Sequence, residues 1–194
     1  MIAVPWSAGT WTRDPAAVKQ VGNTLTVTAE EGSDAWRHTS YGFVHDNEHA
    51  LLHTMPVGTA VEVAFEATFA EQFDQAGVFV RFDEEHWIKA GIEFVDGMPL
   101  LGSVATLVNS DWSGAPIPEW QGERVVVRIS RSADSVTVRA KVEGGEFRFV
   151  RLVPFDGAWN VHAGPYLCAP TRAGLTVAFL SWTLSDPDAD LHSP

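Results

Sequence analysis

The chain has 194 residues, and since about 100 to 200 residues is usual for one domain, a single domain with a sizeable core is expected. Its hydrophobic fraction of 45% and charged fraction of 20% are those of a globular protein. No run approaches the roughly 18 apolar residues that span a bilayer, so a soluble chain is expected. The net charge of −12 repels phosphate backbones and anionic lipid surfaces, which sets nucleic acid and membranes aside as partners and leaves a neutral ligand open.

The start of the chain, Met1 to Trp11, carries no basic segment followed by a long apolar one and no small-residue cleavage site, so no secretory signal is read. Asp14-Pro15-Ala16-Ala17-Val18 is the one helix-like start, with Asp14 as a cap and Pro15 at the first position, and Gly22 limits it to about a turn. From Leu25 to Leu184 the pattern has period two and is broken by Gly, Pro, Asp and Asn, which predicts an all-β chain. Strands are expected near 24–29, 49–54, 60–69, 75–82, 86–95, 99–109, 124–130, 135–142, 147–153, 162–168 and 174–184. That number requires two packed sheets. Residues 1–185 are read as the single sandwich domain and the polar, proline-punctuated residues 186–194 as a frayed C-terminal tail. Cys168 stands alone, which excludes an internal disulfide and agrees with a reducing, cytoplasmic location.

The central strands carry the most chemistry. In Gln75–Arg81, residues Ala76, Val78 and Val80 fall on one face and Gln75, Gly77, Phe79 and Arg81 on the other. In Trp87–Glu93, Ile88, Ala90 and Ile92 face Trp87, Lys89, Gly91 and Glu93 in the same way. Matching apolar faces requires an odd loop, and Asp83-Glu84-Glu85 pairs Gln75 with Glu93, Gly77 with Gly91, Phe79 with Lys89 and Arg81 with Trp87. The next turn, Asp96-Gly97, places Leu100, Gly102, Val104 and Thr106 opposite Glu93, Gly91, Lys89 and Trp87. Gly77, Gly91 and Gly102 then form a column. It serves either as the shallow floor of a binding face or as a device for curvature and close packing.

Five ordered blocks, Ser33-Asp34-Ala35-Trp36, Tyr41-Gly42-Phe43-Val44-His45, Phe73-Asp74-Gln75-Ala76-Gly77, Trp87 through Glu93 and Ser110-Asp111-Trp112-Ser113, together resemble the regulation-of-enolase protein family. The likeness extends from about Trp11, through Arg151 and Gly164 to Pro170, as far as Phe179. The resemblance implies a concanavalin A-like lectin/glucanase jelly-roll sandwich with a concave face, and a tie to carbohydrate metabolism. Ala35 stands where the family commonly has an aromatic residue. The glucanases of that fold carry a strand of alternating carboxylates, and here Lys89 and Gly91 occupy positions where such a strand would need them.

Glycoside cleavage needs two carboxyl groups about 5 to 9 Å apart, and in a simple meander Asp74 and Glu93 are the two that share an end of the sheet. Their alternative role is hydrogen bonding to ligand hydroxyls or loop amides. Lys89 and Glu93 lie about 13 Å apart along the strand at roughly 3.3 Å per residue, too far for a direct ion pair. Trp112, in a rim loop beside Asp111, either stacks on a ligand or closes the sandwich edge. Asp34, Trp36, Arg37 and His38 invite the same two readings. Arg151, alternating with Phe147 and Phe149, reads as a buried or groove-lining cation, with ion pairing the commoner explanation. His45, His49 and His53 recur every fourth residue, a metal-ligand spacing on a helix but not on a strand. A structural calcium ion finds no Asp-x-Asp-x-Asp loop, and no cofactor is expected.

The favoured reading is a non-catalytic carbohydrate-binding or sugar-sensing domain. Trp87 and Trp112 stack, Asp74, Gln75, Glu93, Thr106 and Asp111 meet hydroxyls, and Arg81 and Lys89 orient the sugar, an acidic one included. The alternatives are a hydrolase or lyase using Asp74 and Glu93, and a regulatory module that binds a metabolic enzyme.

Overall fold

The computed structural model describes residues 1–192, so the last two residues of the expected tail lie outside the described residues. The strands run Ile2–Ala3 (β1), Thr10–Trp11 (β2), Ala17–Val21 (β3), Thr24–Thr28 (β4), Ala35–Arg37 (β5), Val44–Asp46 (β6), His49–Thr54 (β7), Thr59–Ala67 (β8) and Gln75–Arg81 (β9). They continue with His86–Val95 (β10), Met98–Leu107 (β11), Asn109–Pro116 (β12), Val125–Arg131 (β13), Ser135–Val142 (β14), Arg148–Pro154 (β15), His162–Cys168 (β16) and Thr176–Ser185 (β17). Two large antiparallel sheets form a jelly-roll sandwich, ordered β15-β14-β13-β8-β17-β4-β3 with β1 on β17, and β12-β11-β10-β9-β16-β7-β2. The short hairpin β5-β6 pairs with neither.

Period two puts Val63, Phe65, Val127, Ile129, Val138 and Phe179 of the first sheet against Val78, Val80, Ile88, Ile92, Leu101 and Leu167 of the second, all buried. Burial of such side chains contributes about 25 cal/mol per Å² of apolar surface and is the main force joining the sheets. The opposite face of the second sheet is covered as well: Phe79, Trp87, Val104, Tyr166 and Cys168 form a smaller buried cluster with Ala35, and Trp36 packs against it.

The register deduced for the central meander is present in full. Gln75 pairs with Glu93, Gly77 with Gly91 and Arg81 with Trp87, and on the other side Gly102 pairs with Gly91 and Thr106 with Trp87. The glycine column extends one strand further, because Gly102 also pairs with Gly114. A Cβ on Gly77 would lie 2.0 Å from the Ala90 carbonyl oxygen, one on Gly91 2.1 Å from that of Ala76, and one on Gly102 2.3 Å from that of Ser113. Close backbone approach therefore requires glycine here.

Three expectations are corrected. Residues 17–21 form a strand rather than a helical turn: Gly22, at φ +59, opens a two-residue turn with Asn23 that closes the β3-β4 hairpin, a geometry glycine adopts at no steric cost. The rim loop around Trp112 is the edge strand β12, paired with β11 from Leu107↔Asn109 to Leu100↔Pro116. It escaped notice because a polar edge strand ending in proline shows no apolar alternation.

The third correction concerns the tail. Instead of fraying, residues 186–191 lie against the outer face of the first sheet. Asp188 accepts from Arg128 Nε at 2.6 Å and Arg139 Nε at 3.0 Å, its backbone N–H donates to Ser130 Oγ at 2.8 Å, and Arg139 donates to the Leu191 carbonyl. Side-chain exposure of 11% for Arg128, 4% for Arg139 and 6% for Asp188 makes this a nearly dry junction. Asp188→Asn removes the carboxylate charge that Arg128 and Arg139 share, leaving Arg128 with Glu62 at 2.6 Å, and is expected to cost about 2–4 kcal/mol in urea unfolding; an unchanged midpoint would contradict the latch.

Candidate functional site

The site begins with the loop before β5. Ser33 Oγ donates to the Glu30 carbonyl and accepts from the Ala169 N–H, while Asn47 Oδ1 accepts from the Asp34 N–H at 3.0 Å and the Asn47 N–H donates to the Asp34 carbonyl at 3.1 Å. These bonds fix Asp34 with its carboxylate facing β9 and β10. At the hairpin tip His38, Ser40 and Gly42 have φ of 60, 64 and 74, alternating left-handed positions that fold the chain tightly back. Arg37 ties the hairpin to the sheet: its N–H donates to Ser110 Oγ, Nε donates to the Val108 carbonyl, and Nη2 pairs with Glu85 at 2.8 Å.

The hairpin carries a line of rings. Trp36 and Tyr41 meet edge-on at 5.7 Å, Tyr41 stacks on Phe43 at 5.2 Å, and Phe43 meets His45 edge-on at 4.6 Å. Between this line and the sheet lies a cavity of about 460 Å³, lined by these four residues with Gly32, Asp34, Phe73, Lys89, Glu93, Trp112, Pro170 and Thr171. Directly over Gly91 and Gly102 only about 10 Å³ remains, room for about one water. The glycine column thus lets the backbones approach closely beneath the site but is not the floor of the cavity.

Lys89 is 3% exposed and donates to Asp34 Oδ1 at 2.9 Å and Gln75 Oε1 at 2.8 Å. Gln75 Nε2 donates in turn to Asp34 Oδ1 at 3.3 Å. Burial alone would lower the Lys89 pKa, but the adjacent Asp34 carboxylate, with smaller help from Cys168 and Glu93, holds it above the ordinary value. Burial likewise opposes ionisation of Asp34, and Lys89 overcomes it, so Asp34 titrates below the ordinary value. Both groups stay charged.

Glu93 behaves differently. Its desolvation outweighs the attraction of Lys89 and a hydrogen bond with the Trp112 side chain, and Asp34 adds repulsion, so its carboxyl is pushed up. Cys168 is buried, and its thiol is pushed well above the ordinary value by burial.

Of the residues expected at the site, Lys89, Glu93 and Trp112 line the cavity and Gln75 supports Lys89 from below. The others are engaged elsewhere. Asp74 does not line the cavity: Oδ2 accepts the N–H groups of Ala70 and Glu71, and Arg172 pairs with it at 2.7 Å. The expected Asp74–Glu93 pair is therefore not assembled there. Arg81 is held by Glu48 at 3.1 Å, and Trp87 is 3% exposed with its ring stacked on Phe79 at 5.3 Å, so it packs rather than presents a free face. Thr106 bonds Ser110 at 2.8 Å, and Asp111 pairs with Arg151 at 2.7 Å. Among the described residues no group of three or more His, Cys, Asp or Glu is placed to hold a metal ion.

The sequence alone assigned no site role to Tyr41 and Phe43, weighed His45 only as a metal ligand, left Trp36 open and missed Asp34 as the partner of Lys89. The signal was present in the blocks 33–36 and 41–45, which fold into the wall of the cavity.

The two sheets and their concave side define a concanavalin A-like sandwich protein. Comparison narrows this: the chain belongs to the regulation-of-enolase family, and the family profile described as protein of unknown function (DUF1349) matches residues 11–187. It is 37% identical over 189 residues to Regulation of enolase protein 1 of Saccharomyces cerevisiae, covering 93% of this chain and 91% of that one. The crystal structure of a functionally unknown Saccharomyces cerevisiae protein is similar at TM-score 0.89 and 34% identity, over 95% of this chain and 99% of that one. A xylan β-1,4-xylosidase from Bacillus halodurans C-125 shares the fold at TM-score 0.72 and 16% identity, over 96% of this chain but 39% of that one.

Two outcomes test the electrostatics. Lys89→Met strands Asp34 and is expected to cost about 3–5 kcal/mol in urea unfolding, and adding Asp34→Asn is expected to return part of that loss. Because the folded chain favours protonated Glu93, stability falls as pH rises from the ordinary carboxylate value through the raised one. Glu93→Gln should therefore raise the melting temperature at neutral pH, with the advantage disappearing below the ordinary carboxylate value. A constant difference across that range would contradict the raised pKa.

Proposed function

We propose that this protein binds a carbohydrate in the cavity between the β5-β6 hairpin and the second sheet, without cleaving it. The observation that carries the reading is an aromatic wall, Trp36, Tyr41, Phe43 and Trp112, facing a small polar set, Asp34, Lys89, Glu93 and His45, around about 460 Å³. Small-ligand sites occupy about 300–1,000 Å³ and have this composition. Ring faces suit the C–H faces of a sugar, and the polar set suits its hydroxyls. Cleavage is disfavoured because Asp74 is committed to Arg172 and Asp34 to Lys89. The sandwich of residues 1–185 is the unit that carries the site, and the lone, buried Cys168 fits a reducing compartment such as the cytoplasm.

Titration of intrinsic tryptophan fluorescence with mono- and disaccharides is expected to show saturable binding. Trp112→Ala and Tyr41→Ala should each weaken it about ten-fold or more with only a small drop in melting temperature, since both side chains are exposed. Undiminished binding by both variants would remove the stacking model.

A second reading is that the rim docks a metabolic enzyme. It is favoured by exposed Tyr41, Phe43, Val44, Leu107, Val108 and Trp112, and by the name of the Saccharomyces cerevisiae relative, Regulation of enolase protein 1. Purified enolase whose activity and sedimentation are unaltered by the protein would dismiss it.

A further inference from the structure

We propose that the ligand carries a positive charge, and that the cavity is selective for an ammonium-bearing ring such as an amino sugar. The inference rests on the carbohydrate reading for the ring but not for the charge.

An acidic sugar would need a free cation, and apart from the His45 imidazole, which also lines the cavity, the basic side chains around the site are already committed. Lys89, 3% exposed, spends its ammonium group on Asp34 and Gln75. Arg81 is paired with Glu48, Arg37 with Glu85 and Arg172 with Asp74. On the cavity lining itself the Asp34–Lys89 pair cancels, whereas Glu93 forms no ion pair with any described residue. When Glu93 ionises beside a neutral His45 imidazole, the lining carries a net negative charge in a half-buried position that water solvates poorly.

The walls point the same way. Trp36, Tyr41, Phe43 and Trp112 line the space beside Glu93, and aromatic faces carry negative electrostatic potential that attracts cations, ammonium groups included. An ammonium group between these rings and Glu93 gains cation–π attraction and supplies the counter-charge that Glu93 lacks. A carboxylate or phosphate would meet Glu93 and the ring faces with the wrong sign. The net charge of −12 favours the approach of a cation over that of an anion.

Isothermal titration at neutral pH compares glucosamine, glucose, N-acetylglucosamine, glucuronate and tetramethylammonium. Glucosamine is expected to bind about ten-fold tighter than glucose or N-acetylglucosamine, with glucuronate weakest, and Glu93→Gln is expected to bring glucosamine down to the affinity of glucose. Equal affinities for glucose and glucosamine in the unmodified protein, or a preference for glucuronate, would overturn the charge inference while leaving the carbohydrate reading in place. Binding of tetramethylammonium with no sugar bound would support the charge and overturn the sugar. Failure of all five ligands overturns both.

Discussion

The buried ion pair between Lys89 and Asp34 is the constraint on which the site depends. Lys89 rises from the middle of a sheet whose neighbouring side chains are Phe79 and Val104, an environment in which an unpaired ammonium would be costly. Asp34 reaches it from a loop 55 positions earlier in the chain, so satisfying one charge also fixes where the hairpin must sit. Gln75 completes the arrangement by accepting from Lys89 and donating to Asp34. A hydrophobic pair of similar volume would hold the layers together about as well, but without the directionality that places the hairpin.

The same pair explains why the cavity has unequal sides. With Lys89 paired to Asp34, its charge is neutralised on the lining itself, and Glu93 is left as the carboxyl that the cavity must accommodate. The structure separates two carboxyls on one lining by environment: one lies beside a cation and stays ionised, and the other is desolvated and resists ionisation. Position along the sequence predicts neither behaviour.

The central meander was legible in the sequence because its information is local. Asp96-Gly97 specifies a hairpin, alternation specifies faces, and one odd loop specifies the offset. The cavity wall was not, because β5 and β6 are three residues each, too short for a period to show, and are positioned by Arg37 reaching Glu85 and Asp34 reaching Lys89. Trp87 misled for a related reason. Alternation placed it correctly on the concave side, but that side is itself covered, so facing it is not the same as facing solvent. The tail misled because its polarity is matched by arginines some 50 to 60 positions away.

The glycine column has a meaning for how relatives should be compared. Three of its members collide with neighbouring main chain, which cannot turn aside as a side chain can. Gly114, on the exposed edge, meets only the Leu100 side chain closer than 3.7 Å. Any relative that keeps this close approach of backbones must keep glycine at 77, 91 and 102, whatever its cavity holds. Agreement at those three positions therefore testifies to shared shape, and shared ligand chemistry has to be sought at 34, 89 and 93 and along the ring-bearing hairpin.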